Sequence, residues 1–292
     1  MPNHKLLLHT IPPDEPADQP SGLSQPSERM LRQNHARHRI TERRRVIQKL
    51  RQALATDGLA LHFQPILSLS SGLARGAEAQ LRLRHSRRGL IPIGHFLPMV
   101  EQSDVIIDVG GWMLRAACTQ AAALPGNFSI ALALSQRHLQ SGKLVKQLLE
   151  ALNAVNLNPD RLELLITEAM LLDENEDTIF ALKAVRGLGV RLALDHFGAG
   201  YASLTPLKRL PFSTLRLDRS LTQSLSEGGT FTAITHAAVE AGHALGCIVL
   251  ADGVESAVQY ELLRQVKVDE AQGSFFGAPI SGPELGAMFG AV

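Results

Sequence analysis

From about Gly58 onward, short apolar runs alternate with longer stretches in which apolar residues recur every three or four positions. The runs "LHFQPI" (61–66), "GAEAQLRL" (76–83), "FSIALAL" (128–134), "LELLITE" (162–168), "VRLALD" (190–195), "TLRLD" (214–218) and "CIVLAD" (247–252), with a short piece ending near Gln272, predict strands. Helical spacing between them predicts helices at 142–156, 174–187 and 229–245, with stops at Gly189 and Gly246. Strands alternating with helices in this number point to a closed TIM-like (β/α)8 barrel rather than an open sheet.

The N-terminal segment follows a different pattern. Residues 1–27 are rich in proline, serine and acids and carry no apolar period, which predicts a disordered tail. Residues 28–56 read as a basic amphipathic helix, and 57–292 as the barrel domain. Within 28–51, eight arginines and one lysine oppose two glutamates, while Ile40, Ile47, Leu50 and Leu54 share one helical face. The plainest reading is a solvated basic face whose apolar stripe packs on the barrel. A membrane surface, a nucleic acid or a partner helix are the alternatives.

Composition narrows the classes further. The 292 residues carry a net charge of +1, which gives no general pull toward nucleic acid or anionic membrane. Cys118 and Cys247 have neither CxxC spacing nor a histidine cluster, as expected of buried thiols in a reducing cytoplasm. No apolar run reaches the roughly 18 residues that would span a bilayer. "GAGYAS" (198–203) lacks the third glycine of a dinucleotide-binding loop and is set aside.

The chemistry concentrates at strand ends. Glu78, Glu168, Asp195, Asp252 and Gln272 terminate or nearly terminate apolar strands, with Glu255 just beyond. In a barrel of this kind such positions line the C-terminal mouth. Carboxylates that converge repel one another unless a cation sits among them, so the pattern suggests Mg²⁺ or Mn²⁺ and, with a pair of ions, metal-assisted phosphodiester cleavage. Each acid taken singly is equally explained as an N-cap for the next helix.

Seven ordered motifs carry a resemblance: "FQPI" (63–66), "EAQLRLRH" (78–85), "LELLITEA" (162–169), "LDHFGAGYASL" (194–204), "LPFSTLRLDRS" (210–220), "ADGVES" (251–256) and "DEAQGSFFGAPI" (269–280). The chain resembles the EAL domain, the bacterial domain that linearises cyclic di-GMP, from Leu50 to its C-terminus. The resemblance implies a TIM-like barrel with an antiparallel first strand and a two-metal site at its C-terminal face. It assigns metal-binding positions to Glu78, Glu168, Asp195 and Asp252, and matches Gln272 to the family's "QG" glutamine.

Against that pattern the chain departs at five positions. Ala133 stands where the family has a metal-binding asparagine, so a methyl group replaces an amide oxygen. His196 replaces the second acid of the "DD" pair, removing a negative charge and offering an imidazole that hard Mg²⁺ does not prefer. Arg216 takes the place of the catalytic lysine; it stays protonated and supplies no base, but its fork suits phosphate. Asp252 is one methylene shorter than the family's glutamate, and Gln80 replaces the leucine of the signature triplet. The metal site is therefore expected to be empty.

The ligand-gripping positions survive. The resemblance implies dinucleotide contacts for Gln64, Arg82 and Glu255, and phosphates neutralised by Arg82 and Arg216 without metal. The alternative for Arg82 is a structural ion pair with a remnant acid. The expected function is a non-hydrolytic signalling module that binds cyclic di-GMP, a protein partner or a second copy of itself, with no cofactor. The alternatives are a residual Mg²⁺- or Mn²⁺-dependent phosphodiesterase giving linear pGpG, and a scaffold that binds no nucleotide.

Overall fold

A computed structural model describes residues 41–171, 175–199, 210–227 and 229–289. The tail at 1–27, the basic segment at 28–40 with Ile40, and most of the glycine-rich loop after Gly198 lie outside the described residues. Among the described residues ten strands form one sheet: β1 (Leu59–Ser68), β2 (Ala74–His85), β3 (Gly89–Pro92), β4 (Ser129–Ala133), β5 (Leu162–Thr167), β6 (Arg191–Phe197), β7 (Thr214–Leu217), β8 (Ile248–Ala251), β9 (Glu270–Ala271) and β10 (Ile280–Ser281). Strands β2, β4, β5, β6, β7, β8 and β9 run parallel in that order, and β1 closes the ring by pairing antiparallel with both β9 and β2. This is the TIM-like barrel with an inverted first strand.

All eight barrel strands fall on the predicted runs, shifted by a residue or two at their ends. One element differs. The run at 76–83 continues to His85 and folds back on β3, with Arg82 opposite Pro92. Glu78 is therefore not at a strand end but in the middle of β2, level with Ala131 of β4. The predicted helices appear at Leu144–Ala154, Glu176–Gly187 and Thr230–Ala244, joined by Val105–Ala122 and Ala257–Gln265. A further helix covers 41–55, where Val46, Leu50 and Ala53 are buried in the core and Ile47 and Leu54 pack against it. Arg44, Arg45, Lys49 and Arg51 on that helix face solvent.

Side chains alternate between the two faces of each strand, and this parity divides the molecule. Outward residues such as Ile130, Leu164, Leu192, Leu215 and Val249 join the helices in the main core. Inward residues stack in three levels. The middle level is apolar: Ile66, Ala131, Leu165, Ala193 and Leu250 form a small cluster of their own. Below it, at the strands' N-terminal ends, lie Glu163, Arg191, Thr214 and Glu270, where Thr214 Oγ1 donates to Glu163 Oε1 at 2.7 Å. Above it are the candidate site residues.

Glu270 in the lower level makes a pH-dependent contribution. Burial, then repulsion from Glu163, raises its carboxyl to about 6, against the pull of Arg191 and Arg75. A raised acid contributes stability below its unfolded pKa, and that stability is lost as pH rises through its folded value. Glu270→Gln removes the titration, so the variant should melt above the parent at pH 8 by roughly 2–4 °C, an effect of about 1 kcal/mol. The difference should close by pH 4.5. Thermal melts across that range would count against this account if the gap were constant.

Candidate functional site

The upper level is organised around Arg216. Parity on β7 aims this side chain into the barrel, where it is only 2% exposed. Its Nη2 donates to Glu78 Oε2 at 2.6 Å and to Gln272 Oε1 at 3.1 Å, and its Nε lies 3.3 Å from Asp195 Oδ1. Burial by itself lowers the guanidinium pKa, but the charges of Glu78, Asp195 and Asp252 outweigh it and the net shift is upward. Arg216 is a permanent internal cation. One arm of its fork, Nη2, is engaged by Glu78 and Gln272, while Nη1 donates to no protein group among the described residues.

The acids around it differ in their environments. Asp252, directly after β8, is raised first by burial; Arg216 opposes the shift and Glu78 adds to it. Glu168 opens a short 3-10 turn after β5, is raised by burial, and keeps one buried oxygen without a hydrogen-bond partner. Glu78 Oε2 also accepts from Gln272 Nε2 at 3.1 Å. Gly273, next to Gln272, allows this approach: a Cβ there would collide with the Val254 backbone.

His196 turns away from the centre. Its backbone is left-handed at φ 59°, and the β6–β7 register breaks between Leu194 and Phe197. The imidazole Nδ1 lies 3.0 Å from Asp218 Oδ2, while Nε2 is 3.7 Å from Asp195 Oδ2. Burial pulls its pKa down, yet Asp195 and Asp218 prevail and hold it above the usual histidine value. Asp218 also accepts from the Ser220 backbone and hydroxyl as the cap of the next helix. Ala133 ends β4 exposed and offers no polar side-chain atom.

A chain of amides runs from this centre toward Arg82. Gln272 Nε2 donates to Gln64 Oε1 at 3.2 Å, Gln80 Nε2 donates to the same oxygen at 3.0 Å, and Arg82 Nη2 donates to Gln80 Oε1 at 2.9 Å. Gln64 Nε2 in turn reaches the Gly277 carbonyl at 3.4 Å. Arg82 makes no ion pair among the described residues; burial lowers its pKa, and its other bond is from Nη1 to the Leu81 carbonyl at 3.2 Å. With Glu78 and Gln80 it lines a cavity of about 490 Å³ whose walls include Ile93, Leu97, Met113 and Leu132.

Glu255 stands outside this network. It pairs with Arg219 at the surface, and its backbone N–H donates to Gln259 Oε1, which also accepts from the Ser256 N–H in the capping box that starts helix Ala257–Gln265. Phe275 and Phe276 pack against Tyr260, with centroids 5.9 Å apart in both pairs. The sequence reading missed Gln80 as a member of the site. Period-two spacing with Glu78 and Arg82 was the available signal, since three residues two apart on a strand share a face.

The residues present do not fit a pair of divalent ions. Among the described residues no group of three or more His, Cys, Asp or Glu is arranged to hold a metal. Arg216 supplies the positive charge its neighbours need. Among the described residues its Nε and Nη1 are buried without hydrogen-bond partners, an unmet demand for an acceptor, while Glu168 Oε1 is buried without a donor.

An inverted first strand and an acid-lined C-terminal mouth put the chain in the class of TIM-like barrels with a candidate site at that mouth. Residues 47–279 match the family model described as EAL domain, and the chain belongs to that family. It is similar to the bifunctional diguanylate cyclase/cyclic di-GMP phosphodiesterase MucR of Pseudomonas aeruginosa, 35% identical over 84% of this chain and 36% of that protein. Among solved structures it is similar to the MucR phosphodiesterase in complex with cyclic di-GMP, with a TM-score of 0.77 and 34% identity over 82% of this chain and 99% of that one. The FimX EAL domain from the same organism, bound to cyclic di-GMP, has a TM-score of 0.75 at 26% identity over 81% of this chain and 96% of that one. The chain spans about a third of the length of the MucR protein it matches. Among the described residues no helix is long and apolar enough to cross a membrane.

Proposed function

We propose that this EAL domain is a metal-independent receptor for cyclic di-GMP and not a phosphodiesterase. One observation carries the reading: a buried guanidinium, that of Arg216, lies within hydrogen-bond or ion-pair reach of Glu78, Gln272 and Asp195. An arginine there neutralises the acids and has no proton to give up near neutral pH, so water activation loses both its metal and its base. Ala133 and His196 remove two further ligands of the family pattern. What remains serves recognition: Arg82 and Gln64 keep N–H groups for a ligand, beside a cavity large enough for a purine.

Isothermal titration with cyclic di-GMP tests the reading directly. Binding should saturate equally in EDTA and in excess Mg²⁺ or Mn²⁺, with the dinucleotide recovered intact by chromatography and the melting temperature raised by mass action. Linear pGpG formed by the parent and lost in Glu78→Ala would overturn it in favour of a residual enzyme. Absence of both heat and thermal shift would favour a scaffold that engages a protein partner or a second copy.

A further inference from the structure

We infer that Gln80 is a specificity-determining residue: it closes the acceptor side of Gln64, so that the group beside Arg82 favours ligands with hydrogen-bond acceptors over ligands with donors. The inference rests on the receptor reading, in which Gln64 and Arg82 contact the dinucleotide.

The polarity of the amide chain follows from its two ends. A guanidinium has donors only. Arg216 Nη2 donates to Gln272 Oε1, so the Gln272 amide must donate onward, and it does so to Gln64 Oε1 and Glu78 Oε2. From the other end, Arg82 Nη2 donates to Gln80 Oε1, so Gln80 must also donate onward, and its target is again Gln64 Oε1. Two directed chains meet on one carbonyl oxygen. An amide oxygen has two lone pairs, and both are now occupied. Gln64 is left with N–H groups alone, one of which reaches the Gly277 carbonyl. No flip of an amide repairs this, because a flip at Gln80 or Gln272 would set donor against donor at an arginine.

Guanine and adenine differ where such a surface is sensitive. Guanine presents two acceptors, O6 and N7, along one edge, whereas adenine presents N7 and an N6 amino donor. Arg82 and Gln64 satisfy the first edge and leave the adenine amino group facing N–H. Two carboxylates, Glu78 and Glu101, also line the cavity. Glu78 already accepts from Arg216 and Gln272, and Glu101 is unchanged by substitution at 80, so neither alters a comparison made at that position. A leucine at 80 would remove one donor from Gln64 Oε1 and return a lone pair to the place where an amino group would sit. Sites that must hydrogen-bond a ligand group discriminate strongly, because a mismatched partner leaves buried polar atoms unpaired.

The test is titration of cyclic di-GMP and cyclic di-AMP into the parent, Gln80→Leu and Gln80→Glu, without metal and with melts recorded for each protein. The parent should prefer cyclic di-GMP, and Gln80→Leu should reduce that preference about tenfold while melting within a few degrees of the parent. Gln80→Glu should weaken both ligands together, since a carboxylate beside Arg82 takes up its charge. Gln80→Met, of matching length, replaces Gln80→Leu if the latter does not fold. A parent that binds cyclic di-GMP, with Gln80→Leu keeping the same preference, overturns the inference and leaves the receptor reading standing. A parent that binds neither dinucleotide overturns both.

Discussion

Arg216→Ala should unfold about 3–5 kcal/mol more easily than the parent, the range for a buried ion pair that loses one partner. The loss is not of a favourable bond alone. Glu78, Asp195 and Asp252 share this one cation, and Arg216, ahead of the Gly253 N–H, restrains the upward shift of Asp252. Without it the Asp252 carboxyl rises further. A raised acid gives up stability as pH rises through its folded value, so the variant's deficit should shrink when pH falls from 7 toward 5. Millimolar Mn²⁺ should raise the melting temperature of the variant more than that of the parent, because the alanine vacates the place a cation would fill. Calorimetry on the two proteins with and without Mn²⁺ decides the matter: equal stabilities would show that Arg216 is not the charge that holds the mouth together.

The second large effect is a gain. Ala133→Asn, His196→Asp, Arg216→Lys and Asp252→Glu combined should bind Mg²⁺ and convert cyclic di-GMP to linear pGpG, at a rate at least about 10³-fold above any single reversion. Groups that act as a unit in catalysis are strongly non-additive, so three restored positions around one missing ligand give little. His196 illustrates why: its ring is held by Asp218 and its backbone is left-handed, so an aspartate there must also find a new rotamer. Gln80 stays in this variant and keeps the amide chain tied to Gln272. Product analysis by chromatography is the measurement, and a folded quadruple variant that binds cyclic di-GMP yet neither metal nor water attack would show that the loops, too, have left the enzyme's geometry.

The barrel was legible because strands β4 to β8 are short and largely apolar on both faces, with most of their polar residues at or near their ends. Alternation of Leu192, Ala193, Leu194 and Asp195, for example, states both a buried strand and the level at which its charge emerges. The closing antiparallel strand came from family resemblance, not from the pattern of β1 itself. The site was legible as a set of acids and as a set of departures. Its internal wiring was not, because a sequence shows that Arg216 replaces lysine but not that the longer guanidinium reaches three strands at once. For the same reason Glu255 was read as a dinucleotide contact, and its pairing with Arg219, the first residue of helix Arg219–Ser224, was not foreseen. Gln80 was read only as a replacement for the signature leucine, although its period-two spacing already placed it on the same face as Glu78 and Arg82. Glu163, Arg191 and Glu270 escaped notice because the polar residues that begin strands look like loop residues until the barrel closes around them.

The apolar middle level has a consequence for how this molecule can change. Ile66, Ala131, Leu165, Ala193 and Leu250 separate two charged assemblies, one at each mouth, with a layer that offers no hydrogen bond and no ion to pass a perturbation along. Such a septum carries no hydrogen-bonded relay between the mouths; it separates the two assemblies by distance and packing, not by screening, since a low dielectric strengthens rather than weakens Coulomb interactions. A substitution at the rim that leaves this layer packed has no hydrogen-bonded path to the acids below. The five side chains thus form a layer whose packing does not depend on which polar residues stand at either mouth.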